Sequence, residues 1–379
     1  MNSIISTVRG VRGILTLSRS DDTFDSPRDE AKGDLKVLSV AWNKDCSGFI
    51  VGTDGGFDVY SCNPMIKKSI SRAPHESGFK TAEMLFLYNL FALVGNGYNN
   101  SKYPPNKLFV WDDHMNSCFC QLAFKSEVVA VKLMREHIVV VLKQNIYVYN
   151  FNNLKVYCLI ETIMNPKGLC CVSHVETKAV LACPGFHPGQ VQVHDLKRNV
   201  IKFIKAHDSA IACMNLTIDG SLLATVSTKG TLIRVFNTLD GTLLQEFRRG
   251  MERAEIYNVA ISSNLKWVAA SSEKGTLHVF RLRPDILSFN PEESSSSFIR
   301  GILPKYLYEN ERSFAQFSLP SSTKFIVGFG SENNVLLVGM DGSFRRCRFD
   351  QTDGGQMVEL EHKCFLSLQQ ETGDTMVVI

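Results

Sequence analysis

The sequence predicts an all-β protein that forms a single seven-bladed β-propeller domain, and three observations support this fold class. From residue 35 onward the chain repeats one unit of two apolar strands, a glycine-containing turn, an alternating strand and a short fourth strand. Each clear unit takes about 40 residues, the usual length of one propeller blade. Strong helical periodicity is missing throughout. Because one four-stranded unit cannot bury both of its faces, such units are expected to pack radially into a ring.

The clearest unit covers residues 210–250, and the next begins at Ile256 and repeats its design. The third strand of the second unit, "GTLHVF", matches "GTLIRVF" of the first at the same offset. Three dipeptides that favour tight hairpins separate the strands of the first unit: Asp219-Gly220, Lys229-Gly230 and Asp240-Gly241.

The remaining units are more degenerate, and they bring the count to about seven. One of them carries the single clear Trp-Asp pair, Trp111-Asp112, and the closing unit is read as the segment from "SFAQFS" to "SFRRCRF". A smaller β-sandwich with extra strands is the alternative, which the matched turns at blade spacing disfavour.

The domain boundaries follow from where the repeat starts and stops. We predict a flexible N-terminal tail over residues 1–34, the propeller over residues 35–367 and a C-terminal tail over residues 368–379. The first twenty residues contain three arginines and no acidic residue, which also resembles an organelle transit peptide. A tail that precedes the fold is the favoured interpretation.

Composition disfavours several classes of function. The net charge of +3 is too small to indicate non-specific nucleic-acid binding, and no run of about 18 apolar residues predicts a membrane span. The eleven cysteines are scattered and lie mostly in apolar runs, as in reduced buried thiols, and Cys118-x-Cys120 has no second pair for zinc. No nucleophile motif or phosphate-binding glycine loop is present. We therefore predict a binding protein without a cofactor, although a Ser/His/Asp set brought together by folding stays open.

Residues 283–307 interrupt the sixth unit with a serine- and proline-rich segment instead of a short turn. Within it, residues 284–300 are predicted to form a membrane-facing loop of blade 6. Apolar residues in such a loop either enter a membrane or a partner, or fold back onto the blade edge, and composition leaves both open. The apolar residues are Ile286, Leu287, Phe289, Phe298 and Ile299.

The strongest local signal is Phe247-Arg248-Arg249-Gly250 at the end of the fifth unit. Side chains alternate along a strand, so the adjacent arginines are expected on opposite sides, one in blade 5 and one toward blade 6. Guanidinium groups present planar forks that suit phosphate, and Gly250 allows the backbone to approach a ligand. Solvated or ion-paired surface arginines are the alternative.

This "FRRG" string and several longer segments resemble the PROPPIN family, the phosphoinositide-binding WD40-type propellers of autophagy. The resemblance covers roughly residues 35–365 and is closest to the branch that contains "YPPNK", which includes plant members. The segments that carry it are "EFRRGMERAEIYN", "KGTLIRVFNTLDGTL", "SSEKGTLHVF", "KYPPNKLFVWDD", "IETIMNPKGLC" and "IKAHDSAIAC".

The resemblance implies two lipid-headgroup pockets, one for each arginine. Pocket 1 would consist of His207, Ser227, Gly230, Thr231, Arg234 and Arg248. Pocket 2 would consist of Arg249, Gly250, Ser272, Thr276 and His278. The implied ligands are phosphatidylinositol 3-phosphate and phosphatidylinositol 3,5-bisphosphate, and the implied role of the blade 6 loop is membrane insertion.

The residue types agree with this implication. Serine and threonine hydroxyls can donate to phosphate or inositol oxygens. We expect His207 and His278 to titrate near neutrality and to bind phosphate better when protonated. For His207, a buried histidine that bonds within its own blade is the alternative.

The predicted function is that of a cytoplasmic effector, peripheral on preautophagosomal, endosomal or vacuolar membranes. The resemblance implies that it recruits autophagy lipid-transfer or conjugation proteins, with the region around Arg72, Pro74 and Tyr103–Lys107 as a candidate partner surface. A WD40 protein-protein scaffold without lipid binding is the competing prediction. Hydroxyls beside both arginines in two successive blades favour the lipid effector.

Overall fold

The computed structural model describes side chains in residues 35–68, 77–85, 90–97, 102–115, 117–175, 178–287, 311–331 and 333–368, apart from those of residues 285 and 287. Before residue 35 it describes the backbone of two short strands, β1 (Ile5–Val8) and β2 (Val11–Ile14), which pair as an antiparallel hairpin. This hairpin lies within the predicted N-terminal tail. The rest of that tail, and all of the predicted C-terminal tail except Leu368, lie outside the described residues.

From β3 onward the described strands form seven consecutive sheets, which are the blades of a propeller. Each blade has four antiparallel strands, and the sheet of blade 6 has a fifth, parallel strand. Blade 1 contains β3 (Val37–Trp42), β4 (Gly48–Thr53), β5 (Phe57–Cys62) and β6 (Met65–Lys67). Blade 2 contains β7 (Phe79–Met84), β8 (Leu90–Gly95), β9 (Lys107–Asp112) and β10 (Ser117–Ala123). Blade 3 contains β11 (Ala130–Leu133), β12 (His137–Val141), β13 (Asn145–Asn150) and β14 (Val156–Glu161). Blade 4 contains β15 (Cys171–Val172), β16 (Val180–Pro184), β17 (Gln190–Asp195) and β18 (Val200–Lys205).

The last three blades hold the arginine motif and the long insertion. Blade 5 contains β19 (Ile211–Leu216), β20 (Leu222–Ser227), β21 (Leu232–Asn237) and β22 (Leu243–Arg248). Blade 6 contains β23 (Ile256–Ile261), β24 (Trp267–Ser272), β25 (Thr276–Arg281) and β26 (Ala315–Ser318), and β30 (Gly355–Gln356) pairs with β26 in parallel. Blade 7 contains β27 (Phe325–Phe329), β28 (Asn334–Gly339), β29 (Ser343–Arg348) and β31 (Val358–Cys364). Two short 3₁₀ helices cover Pro284–Leu287 and Phe365–Ser367.

The closing unit read from the sequence is wrong by one strand. The segment "AQFS" forms β26, the outer strand of blade 6, where it pairs with β25. Blade 7 begins only at Phe325 and takes its outer strand from β31, beyond the predicted unit. The reason is the long insertion, which separates β26 from its blade and leaves it beside the strands of the next blade in the sequence.

Burial explains the sequence pattern of the blades. Every residue of β4, β12, β16, β20 and β24 is buried, because these second strands lie between two neighbouring sheets. Outer strands such as β18 and β22 keep exposed or half-buried residues. The second strands therefore read as continuous apolar runs, as strands that are covered on both faces do.

Polar side chains join the inner strands of blades 5, 6 and 7. The Asn215 side-chain oxygen accepts a hydrogen bond from the Ile261 amide at 3.2 Å, and that of Asn258 accepts one from the Val327 amide at 3.1 Å. These bonds hold the three blades in register.

Side chains rather than a shared strand close the ring between blades 1 and 7. In the described part of the chain, blade 7 takes all four of its strands from residues 325–364. Phe365 follows them and is fully buried, with its ring 5.3 Å from that of Phe49 and 5.2 Å from that of Tyr60. Phe49 also stacks on Phe344 of blade 7. The aromatic cluster therefore joins the two ends of the propeller.

We expect Phe365→Ala to lower the free energy of unfolding by about 3–5 kcal/mol, because it leaves a cavity where the ring closes. Urea unfolding followed by intrinsic fluorescence measures the change. Phe203→Ala is the matched control, since the Phe203 side chain is 46% exposed and its loss should change stability little. Equal midpoints for the two variants would show that the cluster does not hold the ring closed.

Candidate functional site

The arginine motif lies where the outer strand of blade 5 ends and the chain crosses to blade 6. Arg248 is the last residue of β22, and Arg249 follows it. The Arg249 amide donates to the Thr231 carbonyl at 2.9 Å, and the Arg248 amide donates to the Glu311 carbonyl at 3.1 Å. The motif is therefore held between the β20–β21 turn and the segment that returns from the blade 6 insertion.

Backbone carbonyls orient the Arg249 guanidinium. Its Nε donates to the Gly230 carbonyl at 2.8 Å, and a terminal nitrogen donates to the Glu252 carbonyl. Burial lowers the pKa of Arg249, while the carboxylates of Glu252 and Glu273 raise it. A guanidinium keeps its charge at any physiological pH, so this site presents a partly buried and pre-oriented cation.

The predicted members of pocket 2 on blade 6 share the sheet face that packs toward blade 5. Ser272 pairs with Thr276 across the β24–β25 turn, and His278 lies two residues further along the same face. Burial lowers the pKa of His278, and the nearby Arg249 charge lowers it further. The structure thus places Arg249 near His278, whose sheet face also carries Ser272 and Thr276.

Two buried polar atoms of this group make no hydrogen bond within the described part of the chain. They are Oγ of Ser272, which is 4% exposed, and Nδ1 of His278, which is 9% exposed. An unsatisfied buried polar atom costs about 1–3 kcal/mol, so native proteins retain few of them without a reason. Both atoms could bond to a ligand that also contacts Arg249.

Arg248 lies on the other face of blade 5, the face toward blade 4. It pairs with Leu232, and Arg234 pairs with Glu246 on the same face of the same two strands. The Arg234 Nε forms an ion pair with Glu246 at 2.6 Å, and its Nη1 donates to the Ala206 carbonyl at 2.7 Å. Arg234 therefore already joins blade 5 to the connection from blade 4.

His207 and Ser227 lie at the same seam between blades 4 and 5. Both are buried, and the His207 Nε2 lies 3.0 Å from Oγ1 of Thr225 in β20. The Ser227 carbonyl accepts a hydrogen bond from the Gly230 amide at 2.9 Å. His207 thus matches the alternative of a buried histidine that bonds to a blade strand.

The expectation that His207 and His278 titrate near neutrality is wrong. Burial lowers the pKa of both histidines to about 4, and the charge of Arg234 or Arg249 adds to the effect. Both imidazoles are therefore neutral at pH 7, with one N–H donor and one acceptor nitrogen each. Any contribution to anion binding at this pH comes from a hydrogen bond and not from a histidine charge.

The two glycines of the predicted pockets differ in what they do for the fold. Gly230 has a φ of +67°, and an added Cβ would lie 1.9 Å from the Ala254 carbonyl oxygen, so the turn itself requires glycine. An added Cβ on Gly250 would meet no described atom within 4 Å. The packing of the described chain therefore does not explain Gly250, and its role in ligand approach stays a prediction.

The two ends of the blade 6 insertion are fastened beside the arginine strand. Glu311 forms an ion pair with Arg283 at 2.9 Å and accepts a hydrogen bond from the Gln245 amide group at 2.9 Å. Glu311 also pairs with Phe247 as an isolated parallel bridge. Sequence reasoning missed Glu311, since nothing near it in the chain indicates its partners.

Ile286 does not fit the predicted role in membrane insertion. It is 8% exposed and packs with Leu282 in the hydrophobic core between blades 5 and 6, as the fold-back alternative proposes. Leu287 ends the same 3₁₀ helix. The predicted insertion residues Phe289, Phe298 and Ile299 lie outside the described residues.

The "YPPNK" segment packs with Tyr103 against the core between blades 1 and 2 and reaches the start of blade 3 at Pro105. The Tyr103 ring lies 5.2 Å from that of Phe79 and 4.9 Å from that of Phe109, and the Pro105 carbonyl accepts from the Val128 amide. The segment therefore has a structural role whether or not it contacts a partner. Arg72 and Pro74 of the candidate partner surface lie outside the described residues.

Metal ligands and membrane-spanning helices were sought across the described ranges. Within them, no group of three or more His, Cys, Asp or Glu side chains could hold a metal ion. No helix in the same ranges is long and apolar enough to cross a membrane.

The family model described as PROPPIN matches residues 36–310 of this chain. The chain belongs to the PROPPIN family. It is 85% identical over 377 residues to Autophagy-related protein 18e of Arabidopsis thaliana, with 100% of this chain and 99% of that protein covered. It is 31% identical to Autophagy-related protein 18 of Yarrowia lipolytica, with 84% and 93% covered.

Solved structures share the fold of this chain. Kluyveromyces lactis Hsv2 superposes with a TM-score of 0.71 at 24% identity, covering 88% of this chain and 100% of that one. A structure described as the complex of KlAtg21 with the coiled-coil of AgAtg16 has a TM-score of 0.70 at 23% identity, with 87% and 99% covered. The seven-bladed propeller and the family resemblance predicted from the sequence are both confirmed, and this PROPPIN belongs among the autophagy-related proteins.

We expect Ile286→Ala to lower the free energy of unfolding of this PROPPIN by about 2–5 kcal/mol, because a buried branched side chain is lost from the blade 5–6 core. Chemical denaturation measures the effect. Leu239→Ala serves as the control, since this leucine is 66% exposed at a turn of blade 5. If both variants were as stable as the wild type, Ile286 would not be part of the core.

The depressed histidine pKa values predict that acid weakens the fold. Between pH 6.5 and 4 the unfolded chain binds protons at His207 and His278 that the folded chain does not, so stability falls as the pH falls through this window. Each such histidine costs up to about 1.4 kcal/mol per pH unit. His278→Gln should therefore flatten the decline in unfolding free energy measured at pH 7.5, 6.0 and 5.0. The exposed His362→Gln should leave the slope unchanged, and the prediction is wrong if the two variants have the same slope.

Proposed function

We propose that this PROPPIN is a phosphoinositide effector that binds phosphatidylinositol 3-phosphate and phosphatidylinositol 3,5-bisphosphate on membranes. The observation that carries the proposal is the placement of Arg248 and Arg249 on opposite sides of one strand end. Arg248 lies on the face of blade 5 toward blade 4, where we propose pocket 1, and Arg249 lies near His278 of blade 6, where we propose pocket 2.

The chemistry of pocket 2 supports a phosphate ligand. Arg249 supplies a charge oriented by two carbonyls, while the unpartnered Ser272 Oγ and His278 Nδ1 can each donate one hydrogen bond. Phosphate oxygens accept several such bonds at once and gain most from a charged donor. The neutral state of His278 is compatible with this role, because a neutral imidazole still carries one N–H.

In pocket 1, one of the two arginines is already in an ion pair. Arg234 is already engaged by Glu246 and by the Ala206 carbonyl, and His207 by Thr225. Arg248 lies on the same face of blade 5, and we expect it to contact a headgroup there. We propose that pocket 2 contributes more of the binding free energy than pocket 1.

Two pockets on one rim favour membrane attachment over capture of single lipids. Once one headgroup is bound, the second pocket is held near other headgroups of the same membrane, which raises its effective concentration. Burial of apolar side chains in the lipid phase adds about 0.8 kcal/mol per CH₂ group. Leu287, Phe289, Phe298 and Ile299 remain the proposed insertion residues, and Ile286 is not among them.

The proposed setting is the cytoplasmic face of preautophagosomal, endosomal or vacuolar membranes, where the protein acts without catalysis. We propose that it recruits autophagy lipid-transfer or conjugation proteins there. The similarity of its fold to the Atg21 chain that was solved with an Atg16 coiled coil supports a partner of this kind. The "YPPNK" segment, Tyr103–Lys107, is the proposed partner surface.

Liposome co-sedimentation tests the lipid proposal directly. The wild type should sediment with vesicles that contain phosphatidylinositol 3-phosphate and not with vesicles of phosphatidylcholine alone. Arg248→Thr should reduce binding several-fold, Arg249→Thr should reduce it more, and the double variant should bind near background, because a charged donor to phosphate is worth roughly 1.5–3 kcal/mol.

The double variant Arg198→Thr/Arg348→Thr is the matched control, since it removes the same charge from exposed positions in blades 4 and 7. It should bind like the wild type. Circular dichroism melting must give the same midpoint for both double variants. Equal loss of binding in the two would mean that total charge drives binding, and retained binding in Arg248→Thr/Arg249→Thr would leave a protein scaffold as the better description.

A further inference from the structure

The ends of the strands opposite the arginine motif hold a second group of cationic and imidazole side chains. A cleft lies there between blades 3 and 4. It is formed by the β11–β12 turn of blade 3 and by the β15–β16 and β17–β18 turns of blade 4. The side chains that give it its character are Arg135, Glu136, His137, His174, Lys178 and Lys197.

We propose that this cleft is a binding site for a small phosphate-type anion, separate from the headgroup pockets of blades 5 and 6. The two sites lie at opposite ends of the strands, since Arg249 contacts the β20–β21 turn while the cleft is built from the β11–β12, β15–β16 and β17–β18 connections.

The charge of the cleft favours an anion. Arg135, Lys178 and Lys197 supply three cations against the single carboxylate of Glu136, which lies 3.7 Å from Lys197. Arginine and lysine side chains only donate hydrogen bonds, so the group that suits them must carry several acceptors. A phosphate offers such acceptors together with a negative charge.

Two histidines that line the cleft each carry a buried ring nitrogen without a hydrogen-bond partner, an observation independent of this charge. Nδ1 of His137 and Nδ1 of His174 are both buried and form no hydrogen bond to any described residue. The His137 residue is only 5% exposed, and its ring packs edge-on against the Tyr157 ring, with 5.0 Å between the ring centres. Buried polar atoms are almost always paired, so two orphans in one cationic cleft need a common explanation.

The backbone holds His174 in place for such a role. Its amide donates to the Ile218 carbonyl of blade 5 at 2.8 Å, and its carbonyl accepts from the Lys44 ammonium of blade 1 at 3.1 Å. Burial, together with the charges of Lys44 and Lys132, lowers the pKa of His174 to about 4, and burial also lowers the pKa of His137. Both rings are thus neutral donors that an anion can use without a change of protonation.

The test is a titration of the full chain with inorganic phosphate, followed by NMR of the histidine ring protons. It is done in the Arg248→Thr/Arg249→Thr background, so that the outcome does not depend on whether the headgroup pockets exist. His137→Gln and His174→Gln identify the two sets of resonances. We expect both sets to shift together along one binding curve.

Lys178→Gln should weaken this phosphate binding roughly fivefold, because a charged donor is lost from the cleft. Lys266→Gln is the matched control, since it is an exposed lysine at the corresponding turn of blade 6, and it should leave the curve unchanged. Lys178→Arg should restore binding. If neither histidine shifts, or if Lys178→Gln binds phosphate as tightly as Lys266→Gln, the site does not exist.

Two further ligands in the same background identify the source of the phosphate group. Phosphoserine that shifts both histidines at lower concentration than inorganic phosphate would assign the cleft to phosphorylated protein segments. A preference for the soluble headgroup inositol 1,3-bisphosphate would assign it to inositol phosphates instead. Either result supports a phosphate site, and a failure of all three ligands overturns it.

Discussion

The packing of sheet against sheet around a ring is the constraint on which the rest of this structure depends. No blade is stable alone. Each second strand, such as β20 or β24, is buried only when the two neighbouring sheets cover its two faces. The ring must therefore close, and here the aromatic contacts of Phe49, Tyr60 and Phe365 join its first and last blades. Closure fixes the seams between blades, and both candidate sites lie at such seams.

The seams also set the electrostatics of the sites. Polar side chains at a seam lose water, so His207 and His278 are neutral at pH 7 although they lie near arginines. The same burial leaves Ser272 and His278 with unpaired polar atoms next to Arg249. A site of this kind is pre-organised for a ligand that brings its own charge and its own acceptors.

The ends of the blade 6 insertion are bonded to β22, the strand that carries the arginine motif. Glu311, at the end of the insertion, forms an ion pair with Arg283, at its start. Glu311 also accepts hydrogen bonds from the Gln245 side chain and from the Arg248 amide, so both ends of the insertion lie beside the motif. The two ends of the insertion and the arginine pair are therefore linked by short contacts through Glu311. Ile286 adds an apolar anchor to the same junction.

Much of the fold could be read from the sequence because the repeat is local. Turn dipeptides such as Asp219-Gly220 and Lys229-Gly230 mark the hairpins, and the alternation of side chains along β22 suffices to separate Arg248 from Arg249. The position of β26 could not be read in this way, because the insertion removes it from its own blade in sequence. The outer strand β31 was missed for a similar reason, since it follows a turn beyond the recognised repeat.

The sequence by itself determined the blade architecture and the side of the sheet on which each arginine lies, because these follow from strand period and local turn chemistry. The family came from the resemblance that its motifs carry. Only the tertiary structure decided that Arg234 is already paired with Glu246, that His207 and His278 stay uncharged, and that Ile286 is buried. It also brought His137 and His174 into one cleft. Those properties depend on which blade covers which residue, and burial of that kind arises from contacts between positions far apart in the chain.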